Sequence, residues 1–269
     1  MKAVLSIQSA VTFGAVGNTM ANLVMAACGH HLSRVDTVQL AAHPGHGFRA
    51  GGSIDDAAFT ALLEGLEKLG PAMPVAALMT GYIGRPGQIK PVARFITDFI
   101  PQNPHAPVIV DPAIGDHGRL YVDDGIARGI VRWLLPLATI ITPNQFELGW
   151  LAEAEITSRD DAVTAAQHLL DRHPRMQAVI LTGHVDGEMI SDGLITREAG
   201  TFHEKQRSGQ GFSGGGDLFS AIFTASLMSG MSLDAATERA SRACHAILEE
   251  SRKDGSGEIL LDAVMAQLP

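Results

Sequence analysis

Ser213-Gly214-Gly215-Gly216-Asp217 runs directly into the apolar stretch Leu218-Phe219-Ser220-Ala221-Ile222-Phe223. Three glycines let the chain bend freely and place no side chain between its amides and a ligand. The apolar run predicts a helix. Its first N–H groups lack partners within it and carry the positive end of its dipole. That combination is an anion site, suited to a phosphate in transit. A carboxylate repels phosphate, so Asp217 makes chemical sense there as the acceptor of a proton from a hydroxyl attacking phosphorus. The bland alternative makes residues 214–216 a flexible loop and Asp217 a helix cap, worth roughly 0.5–2 kcal/mol.

Around this loop, apolar runs alternate with helical patterns. Residues 3–7, 37–41, 75–80, 108–110, 139–141 and 178–181 read as short strands, mostly uninterrupted by polar residues. Buried parallel strands look like that. Between them lie helical stretches at 16–27, 56–69, 88–99, 124–134 and 159–170, and Phe59, Leu62, Leu66 and Leu69 are expected to share one face. His30 and His31 read as a surface turn after the first helix. Residues 188–196 and 201–203 read as a small antiparallel edge ahead of the glycine loop. A last helix at 232–250 carries Ala236, Ala240, Ala243 and Ile247 at core spacing. Alternation of this kind means one doubly wound, mostly parallel α/β sheet with helices on both faces. With no repeat or low-complexity linker, residues 1–269 read as a single domain.

Composition bounds the partners. A formal net charge of −9 argues against nucleic acid or an anionic membrane surface. Cys28 and Cys244 stand alone, so neither a disulfide framework nor a zinc cluster is expected. The strand-like opening Met1-Lys2-Ala3-Val4-Leu5 is too short for a signal peptide, and no apolar run approaches about 18 residues. The expectation is a cytoplasmic protein.

In such folds ligands collect at the carboxyl ends of the strands. Those ends carry Gln8-Ser9, then His43-Pro44-Gly45-His46-Gly47, Thr80-Gly81-Tyr82, Asp111-Pro112-Ala113-Ile114-Gly115-Asp116, Thr142-Pro143-Asn144-Gln145-Phe146-Glu147 and Thr182-Gly183. Asp111, Asp116 and Glu147 are hard oxygen ligands of the kind that suits Mg2+ held partly through water and phosphate. Their structural alternative is a turn at Asp111 and a capped helix start at Asn144 and Glu147. His43 and His46 have metal-compatible spacing but no third ligand nearby in sequence, which favours a solvated or substrate-facing loop. Tyr82 suits packing and substrate contact equally. Ser9 lacks the GxSxG elbow of a hydrolase and reads as a hydrogen-bonding strand end.

Two nucleotide motifs fail. Gly209, Gly211 and Gly214 match GxGxxG but lie far from the first strand, while near Gly14 and Gly17 the acidic residue Asp36 precedes the second strand instead of ending it. A Walker A loop is excluded because no Gly-Lys dipeptide occurs. Phosphoryl transfer survives; hydride transfer does not.

The assembled residues resemble the pyridoxal kinases of the ribokinase-like superfamily nearly end to end. The resemblance is carried by Ser6-Ile7-Gln8-Ser9, Asp36-Thr37-Val38-Gln39, Thr80-Gly81-Tyr82-Ile83-Gly84, the segments 111–116 and 141–147, and the GxGD-type loop Gly214-Gly215-Gly216-Asp217. It implies Asp217 as catalytic base and Gly214, Gly215 and Gly216 as the anion hole. It further implies Asp111, Thr142, Asn144, Glu147 and Thr182, with Gly183, around the ATP phosphates. Asp116 and Glu147 would stand at the metal, and Ser9, Tyr82 and the His43 loop at the substrate. Mg2+ with ATP as co-substrate is implied, a monovalent cation is left open, and a homodimer is the family's habit.

Two segments depart from the pattern, and the first is Ser9-Ala10-Val11, where family members usually carry Ser-His-Val or similar after the glutamine. Family members usually carry Asn-His-Thr-Gln-Tyr-Gly, or a close variant, where this chain has Ala42-His43-Pro44-Gly45-His46-Gly47. A weakened or shifted affinity for the vitamin B6 ring is therefore expected. The rival within the superfamily, a hydroxymethylpyrimidine kinase, usually opens with Gly-Ser-Asp and Gly-Gly-Ala-Gly segments absent here.

Overall fold

In the computed structural model, residues 3–70, 73–207, 209 and 211–268 are described; Met1 and Lys2 of the opening strand-like run lie outside them. The strands, in chain order, are β1 (Ala3–Val11), β2 (His31–Leu40), β3 (Gly51–Ser53), β4 (Val75–Thr80), β5 (Val108–Val110), β6 (Gly115–Asp116), β7 (Arg119–Leu120), β8 (Ile140–Ile141), β9 (Ala178–Asp186), β10 (Met189–Ile195) and β11 (Gly200–Gln206). Nine of them form one sheet in the order β11-β10-β9-β8-β5-β4-β1-β2-β3, and β6 pairs separately with β7. The strands from β9 through β2 run parallel. Antiparallel strands close both edges, β10 and β11 on one side and β3 on the other. The first edge matches the sequence reading; β3 does not appear in it, because Gly51-Gly52-Ser53 carries no apolar periodicity.

Alternation along the strands divides the core into two layers. Leu5, Ile7, Leu78, Val108, Val110, Ile141 and Val179 face one way, against Phe59, Ile96 and Leu169. Val4, Ala77, Met79, Ile109, Ile140, Ala178 and Ile180 face the other, against Val24, Ile222 and Ile247. A strand covered on both faces by helices must be apolar at every position, which is why these runs read as continuous.

The helices are α1 (Gly17–Ala27), α2 (Asp56–Leu69), α3 (Pro86–Gln102), α4 (Asp124–Gly129), α5 (Gln145–Ala152), α6 (Arg159–Arg172), α7 (Gly215–Met228), α8 (Leu233–Asp254) and α9 (Leu261–Gln267). Residues 130–134 continue α4 as a π-helical turn. Several expectations are corrected. On α2 the buried residues are Phe59 and Leu63, while Leu62 and Leu69 point to solvent. The one-residue shift matters because only positions about four apart stack on one helix face. Helix α8 is not the last, since α9 follows and packs on it. His31 opens β2 instead of sitting in a turn, and His30 Nε2 lies 3.1 Å from the carbonyl of Ala225 in α7. Asp36 lies inside β2, where its Oδ1 accepts a 2.7 Å hydrogen bond from the buried Asn18 Nδ2.

The sheet order places the site. From β1 the chain steps outward to β2, then crosses back to β4 on the other side of β1. The loops after β1 and β4 therefore diverge and open a crevice at the carboxyl edge. Among the described residues, no helix is long and apolar enough to cross a membrane.

Candidate active site

A cleft of about 1850 Å3 runs along that edge. Ser9, His43 and Tyr82 line it, as do Asp111, Asp116, Thr142, Asn144, Glu147, Thr182, Gly183, Gly214, Gly215, Gly216 and Asp217. These residues, from position 9 to position 217, thus share one concavity, while His46 does not line it.

At its centre, Gly214 precedes α7 in the left-handed region at φ 86°, and no side chain caps that helix. A Cβ on Gly214 would stand 2.9 Å from the Ala15 carbonyl oxygen, so this position requires glycine both for its dihedral and for its contact. The helix starts with Gly215, Gly216 and Asp217 at the positive end of its dipole, and the Gly215 amide donates to the Phe212 carbonyl at 3.2 Å. Asp217 is not the cap. Its carboxylate instead takes a backbone hydrogen bond from Gly17, the first residue of α1. Surrounding protein desolvates it while one side stays open to the cleft. That burial pushes its pKa up to about 6, with the Gly17 bond acting in the opposite direction.

In the sequence Gly17 carries no signal beyond a failed dinucleotide pattern. It sits at φ 55°, and a Cβ there would lie 2.3 Å from both the carbonyl oxygen and the Oγ of Ser9. Its bare Cα therefore lets Ser9 pack against it, while its backbone N–H serves Asp217.

The second carboxylate, Asp111, follows β5. Its Oδ2 accepts a 2.8 Å hydrogen bond from Ser220 Oγ, and its Oδ1 a 3.2 Å bond from Ala113 N. Ser220 Oγ also lies 3.0 Å from Thr142 Oγ1. Ser220 was hidden in the apolar run of α7, yet a signal existed: it is three residues past Asp217, hence on the same helix face. Burial, then the charges of Glu147 and Asp217, hold the Asp111 pKa well above the ordinary carboxylate range.

Glu147 forms a capping box with Asn144 at the start of α5. Its Oε2 accepts from Asn144 N at 3.0 Å, and its Oε1 from Ile114 N at 2.8 Å and Gly115 N at 3.3 Å. The buried carboxylate thus ties the loop after β5 to the loop after β8. Burial raises its pKa to about 7, against the lowering effect of those three bonds. Asn144 Nδ2 donates to Gly115 O at 2.8 Å, and Asn144 bridges Thr182 in parallel fashion. Asp116 is exposed at the cleft rim.

At the far end, Asp192 holds the turn at Gly183. Its Oδ1 accepts from Gly183 N at 2.8 Å, and its Oδ2 from Lys205 Nζ and Ser241 Oγ, each at 2.6 Å. At the near end, Val11, Val16, Val38 and Leu40 form an apolar floor with Tyr82 packed against it. Tyr82 also stacks on Tyr121 with centroids 6.4 Å apart, so packing and cleft lining are combined in one ring. Tertiary structure supplies what His43 and His46 lacked in sequence, since Glu258 Oε1 lies 2.8 Å from His43 Nε2 and 2.9 Å from His46 Nε2.

The sheet and its cleft are those of the ribokinase-like fold, and the chain is an ATP-dependent small-molecule kinase. The profile of the phosphomethylpyrimidine kinase family matches residues 52–262. The chain is 35% identical to the pyridoxal kinase of Vibrio campbellii, covering 96% of this chain and 91% of that protein. It is 36% identical to the pyridoxine/pyridoxal/pyridoxamine kinase of Bordetella avium, over 96% of this chain and 88% of that one. Its fold superposes on the Entamoeba histolytica pyridoxal kinase with a TM-score of 0.92, at 23% identity and covering 100% and 95% of the two chains. The Leishmania donovani pyridoxal kinase, solved with ADP and pyridoxine, gives a TM-score of 0.86 at 26% identity, with 98% and 91% covered. This chain belongs to the pyridoxal kinase family.

Proposed function

We propose that this protein transfers the γ-phosphoryl group of ATP to the hydroxymethyl oxygen of pyridoxal, pyridoxine or pyridoxamine, giving the 5'-phosphate and ADP. The observation that carries the reading is Asp217, placed between an apolar pocket and the amides of the α7 N-terminus. The heterocycle would lie on Val11, Val16, Val38 and Leu40, with Ser9, His43 and Tyr82 around it. ATP would extend toward Thr182, Gly183 and Lys205. Its phosphates would pass Asp111, Thr142 and Asn144, and its γ-phosphate would meet the start of α7 at Gly216.

The hydroxymethyl oxygen then attacks phosphorus, the bond from the γ-phosphorus to the bridging oxygen breaks, and ADP leaves with that electron pair. The hydroxyl proton passes to the Asp217 carboxylate, which with a pKa of about 6 is mostly ionised at neutral pH. Such a transition state asks for alignment and a late proton acceptor, which an ordinary carboxylate supplies.

The donor set fits Mg2+. Asp111, Glu147, Asp116, Asn144 and Thr142 offer only oxygen and amide groups, and burial, then repulsion from Glu147 and Asp217, raises the Asp111 pKa. When bound, the ion neutralises phosphate charge. Asp111 and Asp116 would hold it directly or through water. Glu147, whose two oxygens already take three backbone hydrogen bonds, would act through water and by shaping the loop. A monovalent cation, a homodimeric assembly and a cytoplasmic location belong to the same reading. Light scattering tests the assembly.

The direct test is a substrate panel of pyridoxal, pyridoxine, pyridoxamine and hydroxymethylpyrimidine, with ADP release as readout. The B6 vitamers are expected to turn over, with weaker affinity from the His43 loop by roughly 1–2 kcal/mol per lost ring contact. Turnover of the pyrimidine alone would refute the assignment.

A further inference from the structure

Three distant segments of the chain converge on one carboxylate beside the substrate end of the cleft. Glu258 comes from the connection between α8 and α9, and a Cβ on Gly14 would stand 2.4 Å from its Oε2. Only glycine at that position, itself at φ 83°, lets the carboxylate settle against the loop after β1. The imidazoles of His43 and His46 reach the same carboxylate oxygen from the loop between β2 and β3. His46 also meets Phe13 edge-on at 5.7 Å.

Among the described residues these three side chains form a potential metal-ligand group, with their ligand atoms within 4.8 Å of one another. The proton positions argue for a different role. The backbone N–H of Gly45 points at His43 Nδ1 at 3.2 Å, and an N–H can only donate. His43 Nδ1 is therefore the bare nitrogen, and Nε2 carries the hydrogen that Glu258 accepts. A metal on Nε2 would drive that hydrogen onto Nδ1, against the Gly45 N–H. The arrangement is a hydrogen-bonded clasp, with both His43 nitrogens committed inside the protein.

We infer that Glu258 is a positioning residue for the substrate end of the cleft, acting through His43; the inference rests on the kinase reading above. The clasp holds His43 in one tautomer, so that the ring offers the substrate carbon and π surface and does not compete with Asp217 for its proton. It also seats the loop against the phosphate end, since a Cβ on Gly45 would meet Ser213 Oγ at 3.1 Å, immediately ahead of the glycine turn. One carboxylate from the C-terminal segment thus sets the distance between ring wall and anion site.

The test compares wild type with Glu258→Ala and Glu258→Gln. In Glu258→Ala, KM for the preferred vitamer should rise roughly fivefold or more while KM for ATP stays put. Glu258→Gln keeps an acceptor oxygen and should restore most of the loss. Independently of activity, nitrogen-15 spectra of His43 should show bare Nδ1 and protonated Nε2 in wild type, and averaged nitrogens in Glu258→Ala. Unchanged vitamer KM in Glu258→Ala, or a wild-type spectrum with protonated Nδ1, overturns the inference. So does calorimetric binding of Zn2+ alone that His46→Ala abolishes. If wild type phosphorylates no vitamer, the substrate assignment falls, and the spectra still decide the clasp.

Discussion

Ser220 Oγ donates to Asp111 Oδ2 at 2.8 Å, joining the helix that begins at the glycine turn to the end of a central strand 109 residues away. The bond lowers the Asp111 pKa against the burial that raises it. In Ser220→Ala the buried carboxylate keeps its desolvation and loses a donor, at a cost of about 1–3 kcal/mol. A lower melting temperature and weaker ATP binding are expected. Unchanged values for both would mean that the bond holds nothing in place.

Asp217→Asn isolates the proton acceptor. The amide oxygen can still take the Gly17 hydrogen bond, but the side chain cannot accept a proton. Turnover should fall roughly 10²–10⁴-fold with ATP affinity intact. Stability should hold or rise slightly at neutral pH, because a desolvated charge is removed. Wild type should lose kcat/KM as pH falls through about 6, the Asp217 pKa. An identical acid limb in the residual activity of Asp217→Asn would assign it to another group.

The carboxylate group also sets a pH dependence of stability. Asp217 and Glu147 have folded pKa values of about 6 and about 7, above their ordinary 3.8 and 4.5. Between the ordinary and raised values the folded state binds more protons than the unfolded one. Their contribution is therefore full below about pH 4 and is lost as pH rises through 6 and 7. Calorimetry on metal-free protein should show Mg2+ raising the melting temperature more at about pH 8 than at about pH 5, where the cluster is largely protonated. A larger effect at acid pH would contradict this.

Gly17→Ala should be far more costly than a surface glycine change. The left-handed backbone alone costs about 1–2 kcal/mol with a Cβ, and the added carbon would overlap Ser9. Ser9 must move and the Gly17 N–H that serves Asp217 must shift with it, so turnover should drop along with stability. Gly29→Ala has open space and a positive φ as well, and serves as the control for backbone strain alone. Equal losses of activity in both variants would remove Gly17 from the site.

Much of this protein was determined locally. Each central strand carries its own apolar run, because helices cover both of its faces. The polar residues that end those strands had to meet, since parallel strands bring all their carboxyl ends to one edge. For that reason Ser9, Tyr82, Asp111, Asn144, Thr182 and Asp217 meet in one cleft. What stayed hidden has no local signature. Leu62 and Leu63 are equally apolar, and only the packing of α2 buries one and exposes the other. Gly17 looks like any glycine until Ser9 presses on it. Glu258 lies 215 residues from His43, and the distance is closed only because the α8 to α9 connection packs against the loop between β2 and β3. Periodicity reports which face of an element is buried, because burial repeats along the element. Pairings between single side chains from distant elements do not repeat, and tertiary structure alone decides them.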